Sequence, residues 1–172
     1  MMKKMIIALL IIFYACGQNN SSKNSDNQIK KDNLSGVYEY VYPNDTPELT
    51  ENHFIVLETT QNQLSGYYYG TSDEFDEERE GYLPAFFVAK MHNLKIVNDT
   101  INFTLIVNND DFLTKAVDLK YKSTNDALKA GYKNWENHIP TEPKSYKGIF
   151  KNSSTIVFNE EDEFLTKTFK KR

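Results

Sequence analysis

The chain has 172 residues, a formal net charge of −4 and a single cysteine. Such a length fits one domain, and a lone cysteine excludes an intramolecular disulfide. The acidic balance is repelled by nucleic acid and by anionic headgroups, and the sequence holds no basic stripe of the kind that nucleic-acid binding needs.

The N-terminal segment stands apart. Lys3 and Lys4 form a short positive stretch, and residues 5–14 are all apolar or aromatic. A run of about 10 residues is too short to cross a bilayer core, which takes about 20. It has the length of the apolar region of a signal peptide. The only cysteine follows at once, in Phe13-Tyr14-Ala15-Cys16. This arrangement resembles the signal of bacterial lipoproteins, in which a small residue precedes a cysteine at the end of the apolar run. Ala15 and Cys16 match that pattern, whereas Phe13 and Tyr14 are bulkier than its usual residues. The resemblance implies that residues 1–15 are removed, that Cys16 becomes the mature N-terminus, and that Cys16 carries acyl chains. Each buried CH₂ contributes about 0.8 kcal/mol, so several chains give stable anchoring to a membrane. Loss of residues 1–15 removes two lysines and no acids, which takes the charge from −4 to −6.

Residues 16–33 comprise that cysteine and a polar stretch with one Ile, which cannot bury enough apolar surface to offset its ordering entropy. They read as a flexible tether. Related surface lipoproteins carry a dense acidic run after the cysteine as an outward-export signal. Here Gln18-Asn19-Asn20-Ser21-Ser22-Lys23 is not acidic, which favours a periplasm-facing protein of the cell envelope.

A single β-rich domain is expected over 34–172. Short runs of Val, Ile, Tyr, Phe and Thr divided by turn residues predict strands at 36–42, 53–59, 64–70, 94–97, 100–108, 146–151, 155–159 and 164–169. The clearest alternation sets Ile101, Phe103, Leu105 and Val107 on one face. Gln61-Asn62, Asn98-Asp99 and Asn152-Ser153-Ser154 are tight-turn candidates. Residues 82–90 contain Pro84 and fit an edge strand. Residues 126–135 predict a short helix, capped by Ser123, Thr124 or Asp126 and containing Gly131. The basic end Lys167, Lys170, Lys171 and Arg172 reads as a solvated chain terminus.

This pattern is mainly β: an antiparallel meander that closes as a barrel or folds as a two-layer sandwich, with one short helix. Leu34-Ser35-Gly36-Val37-Tyr38 opens the domain, and Leu64-Ser65-Gly66-Tyr67-Tyr68 echoes it. The first of these is similar to the Gly-x-Trp opening of lipocalin-like, or calycin-like, domains, with Tyr in place of Trp. The resemblance implies a barrel with an interior for a small ligand.

Tyrosine is the most distinctive residue type. Tyr38 and Tyr40 share a face of the first strand, as do Tyr67 and Tyr69 on the third. A broad apolar ring with a polar tip suits the wall of a pocket for a small amphiphilic ligand. It equally suits a half-wet sheet surface. The acidic runs at 73–80, 109–111 and 160–163 read as solvated loops, or as a docking edge for a basic protein partner. They follow no EF-hand pattern. His53, His92 and His138 lack metal-ligand spacing. There is no nucleophile elbow and no phosphate loop, and no cofactor motif is present. Catalytic sites also assemble from residues distant in sequence, so an enzyme stays open.

Overall fold

The computed structural model describes residues 34–42, 52–76, 81–135, 142–159 and 166–172. The expected leader at 1–15, Cys16, the expected tether, His138 and the acidic run at 160–163 lie outside the described residues. The elements are β1 (Gly36–Tyr40), β2 (Phe54–Thr60), β3 (Gln63–Asp76), β4 (Gly81–Lys90), β5 (His92–Val97), β6 (Thr100–Leu105), α1 (Thr124–Lys129), β7 (Lys144–Asn152), β8 (Thr155–Phe158) and β9 (Lys167–Lys171). A single antiparallel sheet runs in the order β4-β3-β2-β1-β9-β8-β7-β6-β5 and curls into a nearly closed barrel. One continuous sheet removes the sandwich alternative, and the barrel is compatible with a lipocalin-like one.

Local chemistry explains the hairpins. Gln61 and Asn62 have φ of 51° and 62°, and Asn98 and Asp99 have φ of 47° and 62°. Two successive left-handed residues make the turn whose twist matches the flanking strands. They join Thr60 to Gln63 and Val97 to Thr100. The seam of the barrel lies where β4 passes into β5. There the Met91 amide donates to the Gly66 carbonyl at 2.8 Å. A Cβ on Gly66 would stand 2.5 Å from Met91 Sδ, so this close approach needs glycine.

β4 lies at one end of the strand order, as its proline requires. Its free side is capped by Leu113: the Phe86 amide donates to the Leu113 carbonyl at 2.9 Å, and the Leu113 amide returns a bond of 2.7 Å.

Two apolar layers result. The barrel interior holds Tyr38, Ile55, Tyr68, Ile101, Phe103, Leu105, Phe150, Ile156, Phe158 and Phe169. The expected alternation in β6 appears at Ile101, Phe103 and Leu105, which are buried, but the strand ends at Leu105 and Val107 lies beyond it, partly buried against the same core. The second layer lies on the outer face of β2, β3 and β4, where the segment between β6 and β7 crosses as a strap. Val56, Tyr69, Phe86 and Val88 meet Leu113, Val117 and Ala127 there.

Three expectations are corrected. The helix ends at Lys129, not near Trp135. Ser123 Oγ accepts from the Asp126 amide at its start, and Gly131 with φ of 90° turns the chain away just past its end. The acidic residues Asp73, Glu74 and Asp76 are not in a loop. They belong to β3, which pairs with β4 as far as Asp76↔Gly81. The basic C-terminus is not a solvated end. It forms β9 between β1 and β8, and Arg172 is paired with Glu39 at 2.7 Å. Among the described residues no helix is long and apolar enough to cross a membrane.

Candidate functional site

The two ends of the barrel differ. At one end Leu34 is buried as a plug, and the Tyr38 hydroxyl donates towards the Leu34 carbonyl at 2.8 Å and the Ser153 carbonyl at 3.1 Å. Burial pushes the Tyr38 phenol up to about 12. This end is filled and hydrogen-bonded shut.

The other end is formed by the last residues of β1 and β8 and the first of β7 and β9. It opens onto a cavity of about 470 Å³ whose apolar wall is Tyr68, Tyr146, Phe158 and Phe169. Tyr68 and Tyr146 lie 5.8 Å apart with rings near parallel, and Tyr146 stacks on Phe103 at 5.1 Å. Lys144 and Lys167 also line the cavity. Each stands two residues before an inward-facing aromatic, Tyr146 and Phe169, so the period of two places both lysines on the inner face. The Lys144 ammonium lies 5.5 Å from the centre of the Tyr146 ring, within cation–π range.

On the β1–β2 side of this mouth sits a polar cluster. His53 is buried, with Nδ1 2.9 Å from the Tyr42 hydroxyl. Its Nε2 lies 3.2 Å from both the amide nitrogen and the hydroxyl of Thr71. An amide only donates, so Nε2 is the acceptor and Nδ1 carries the proton that Tyr42 receives. The Nε2 lone pair is thus directed to a backbone amide. That arrangement fixes the ring; it does not activate the Thr71 hydroxyl as a nucleophile. Tyr40 packs edge-on against Tyr42 at 4.3 Å and against His53 at 5.8 Å.

The four tyrosines expected to line a pocket separate into two sites. Tyr38 and Tyr40 face the interior, Tyr38 at the closed end and Tyr40 beside the open one. Tyr67 and Tyr69 lie on the outer face of β3, under the strap. The Tyr69 hydroxyl donates to the Tyr121 carbonyl at 2.7 Å and lies 3.1 Å from the Leu119 carbonyl. Burial, with Glu58, Tyr67 and Asp118 nearby, raises its pKa well above the ordinary phenol value. Tyr68 is the residue of β3 that joins the interior. A signal for it existed in the repeated Leu-Ser-Gly-x-Tyr. Across β2, Gly36 and Gly66 both pair with Leu57, and Tyr38 and Tyr68 both pair with Ile55. The two motifs are therefore in register, and their tyrosines point the same way. Lys144, Tyr146, Phe158 and Lys167 carried no such signal.

His92 is exposed on β5 and takes no part in the mouth. Asn109, Asp110 and Asp111 form a short 3-10 turn in which Asp111 accepts from the Asn108 amide at 2.8 Å. Among the described residues no group of three or more His, Cys, Asp or Glu side chains is placed to hold a metal. A second cavity, of about 370 Å³, lies along the outside of β1 and β9 and is bordered by the Glu39–Arg172 ion pair. Tyr40, Tyr42 and His53 also line it, so it abuts the polar cluster beside the mouth. In comparisons with protein-family models, curated proteins and solved structures, the chain matches none of them.

Proposed function

We propose that this protein is a lipid-anchored binding module of the bacterial cell envelope, with a small amphiphilic ligand held in the open end of its barrel. The observation that carries the binding reading is the asymmetry of the interior. One end is plugged by Leu34 and Tyr38, while the other borders a cavity of about 470 Å³ with Tyr68, Tyr146, Phe158 and Phe169. Pockets of about 300–1,000 Å³ that are mainly apolar, with a few polar groups at the rim, are the usual form of a small-molecule site. The anchor reading rests on the sequence: an apolar run ending at Ala15-Cys16, then a polar tether long enough to hold the barrel off a membrane. The absence of an acidic run after Cys16 supports a periplasmic orientation.

Native mass spectrometry of the processed chain, residues 16–172, purified without detergent tests the binding reading. A reproducible extra mass released on denaturation is the expected result. A clean apo mass after incubation with an envelope lipid extract counts against it. For the anchor, Cys16→Ala is expected to move the protein to the soluble fraction. Retention on the membrane without Cys16 overturns that part.

A further inference from the structure

We infer that the outer face of β5, β6 and β7 rests on an anionic phospholipid surface, where Lys95, Lys147 and Lys151 meet headgroup phosphates and Val97 and Ile149 dip between them. This rests on the anchor reading above for the choice of a bilayer, and adds which side of the barrel faces it.

Strand pairing places these side chains together. Ile101 and Phe103 point inwards from β6, so Thr100 and Asn102 point outwards. Asn102 pairs with Lys95 on one side and with Lys147 on the other, and Thr100 pairs with Val97 and with Ile149. A row of lysines thus runs beside a row of aliphatic tips, the members of each row about 10 Å apart across β6. Val97 is 59% and Ile149 39% exposed, and Lys95, Lys147 and Lys151 are exposed too. Among the described residues none of these three lysines is ion-paired. The strands β5 to β8 contain no Asp or Glu; Asp99, in the turn between β5 and β6, adjoins the face. The outer side of β2, β3 and β4 is the reverse: the strap covers it and carries Asp110, Asp111, Asp118 and Asp126. The domain is therefore polarised. A negative surface that repels a chain of net charge −4 as a whole attracts this one side.

Two observations favour a bilayer over an acidic protein. The first is where the chain to Cys16 leaves the domain. The Tyr38 hydroxyl bonds to the carbonyls of both Leu34 and Ser153, so the domain starts beside the turn between β7 and β8, next to Lys151. The Phe150 amide donates to the Asp99 carbonyl at 2.8 Å, which brings the Val97 end of β5 to the same end of the barrel. Residues 17–33 span at most about 60 Å, so acyl chains on Cys16 hold this end near the membrane. The second is the make-up of the face. Its outward side chains include no Arg, Phe, Tyr or Trp, the residues on which protein interfaces and single-strand nucleic-acid sites are centred. Ammonium groups on long stems are point charges that suit an array of phosphates without fixed geometry. The contact is weak and screened at physiological salt, and the anchor strengthens it by making it intramolecular.

The test is vesicle co-sedimentation of the processed chain, residues 16–172, carrying Cys16→Ala so that no lipid on the protein contributes. The vesicles are phosphatidylcholine alone, or phosphatidylcholine with an equal part of phosphatidylglycerol. We expect binding to the anionic vesicles at an ionic strength of about 0.01 M, its loss at about 1 M, and none to the neutral vesicles. A lysine close to an anionic surface contributes about 5-fold, so Lys95→Gln, Lys147→Gln and Lys151→Gln together should lower binding by about 100-fold. The same change of charge on the strap, Lys115→Gln, Lys129→Gln and Lys133→Gln, should leave it within about 3-fold. Val97→Thr with Ile149→Thr, which keeps branched strand side chains, should weaken binding by a smaller factor than the lysine variant. Far-UV circular dichroism reports that each barrel is intact. Equal losses in the face and strap variants, or equal binding to both kinds of vesicle, overturn the assignment. Capture of polyglutamate without capture of vesicles gives the face to an acidic protein and overturns the bilayer. Each of these failures leaves the anchor reading standing, because that reading is tested on Cys16 by fractionation at physiological salt.

Discussion

Replacing Tyr69 with Phe isolates the role of the strap. Tyr69 is fully buried on the outer face of β3, and its ring packs with Val56, Phe86 and Val88. Phe keeps that ring and removes only the hydroxyl. One hydrogen, placed between the carbonyls of Tyr121 and Leu119, is lost. Leaving partly buried carbonyls without their donor costs about 1–2 kcal/mol, below the full penalty because water reaches part of the site. For a domain of this size that corresponds to a fall in Tm of about 3–6 °C. The only tryptophan, Trp135, sits at the end of the strap, where its amide donates to the Phe112 carbonyl at 2.8 Å. Urea unfolding followed by Trp fluorescence reads the strap, and far-UV circular dichroism reads the barrel. In the variant the fluorescence transition should move to lower urea by at least as much as the dichroism transition. Any ligand mass retained at the open end should not change, because Tyr69 faces away from the mouth. A stability within 0.3 kcal/mol of the parent, a difference too small for a lost buried bond, would refute the view that this hydroxyl fastens the strap. A loss of ligand affinity in Tyr69→Phe would refute its placement.

Gly148→Ala puts a methyl into the Phe158 ring at 2.7 Å; that ring is held by Phe103 and Phe169, so a destabilisation of about 1–3 kcal/mol is expected in denaturant unfolding. Unchanged stability would mean that Phe158 yields freely. The Tyr38 phenol, ordinarily near 10, is held near 12 in the folded chain. Folding therefore favours its protonated form: this contribution is complete below pH 10 and is lost as pH rises through 12. Absorbance at 295 nm should show Tyr38 and Tyr69 titrating after the exposed tyrosines, and a Tyr38→Phe variant should reduce that late phase by one phenol. Removing the exposed Glu39–Arg172 pair by Arg172→Ala should cost no more than about 1 kcal/mol. A larger loss in thermal unfolding would assign Arg172 a role beyond the pair, such as its stacking on the Phe54 ring at 5.4 Å.

Where the chain alternates cleanly, its fold is legible in the residues. Ile101, Phe103 and Leu105 alternate with polar partners because only the inner face of β6 is covered, and the paired left-handed residues at 61–62 and 98–99 fix both hairpins. β3 is different. It is covered inside by the barrel and outside by the strap, so Tyr67, Tyr68 and Tyr69 are all aromatic and the period of two is erased. Which of them faces inward is decided by the pairing Ile55↔Tyr68 and not by the side chains. The charged residues misled for a related reason. Asp73 and Asp76 look like loop residues, yet the β3–β4 pairing continues through them. The basic end looked like a solvated terminus because nothing local reveals that Phe169, the one large apolar residue among its lysines, is buried against the opposite end of the domain. Lys144 and Lys167 come to border one cavity only because the sheet brings β7 and β9 to either side of β8.

The pairing of β1 with β9 also has a consequence in time. Tyr38 and Lys171 are partners although 133 positions separate them, and among the described residues no other strand-to-strand ladder joins the first four strands to the rest. Closing so long a loop is entropically slow and is rewarded only when both ends are present. The two halves are therefore each a set of open-edged hairpins until the final strand arrives. A chain emerging end-first through a narrow exit stays unsealed for nearly its whole passage, and the barrel forms only once β9 is through.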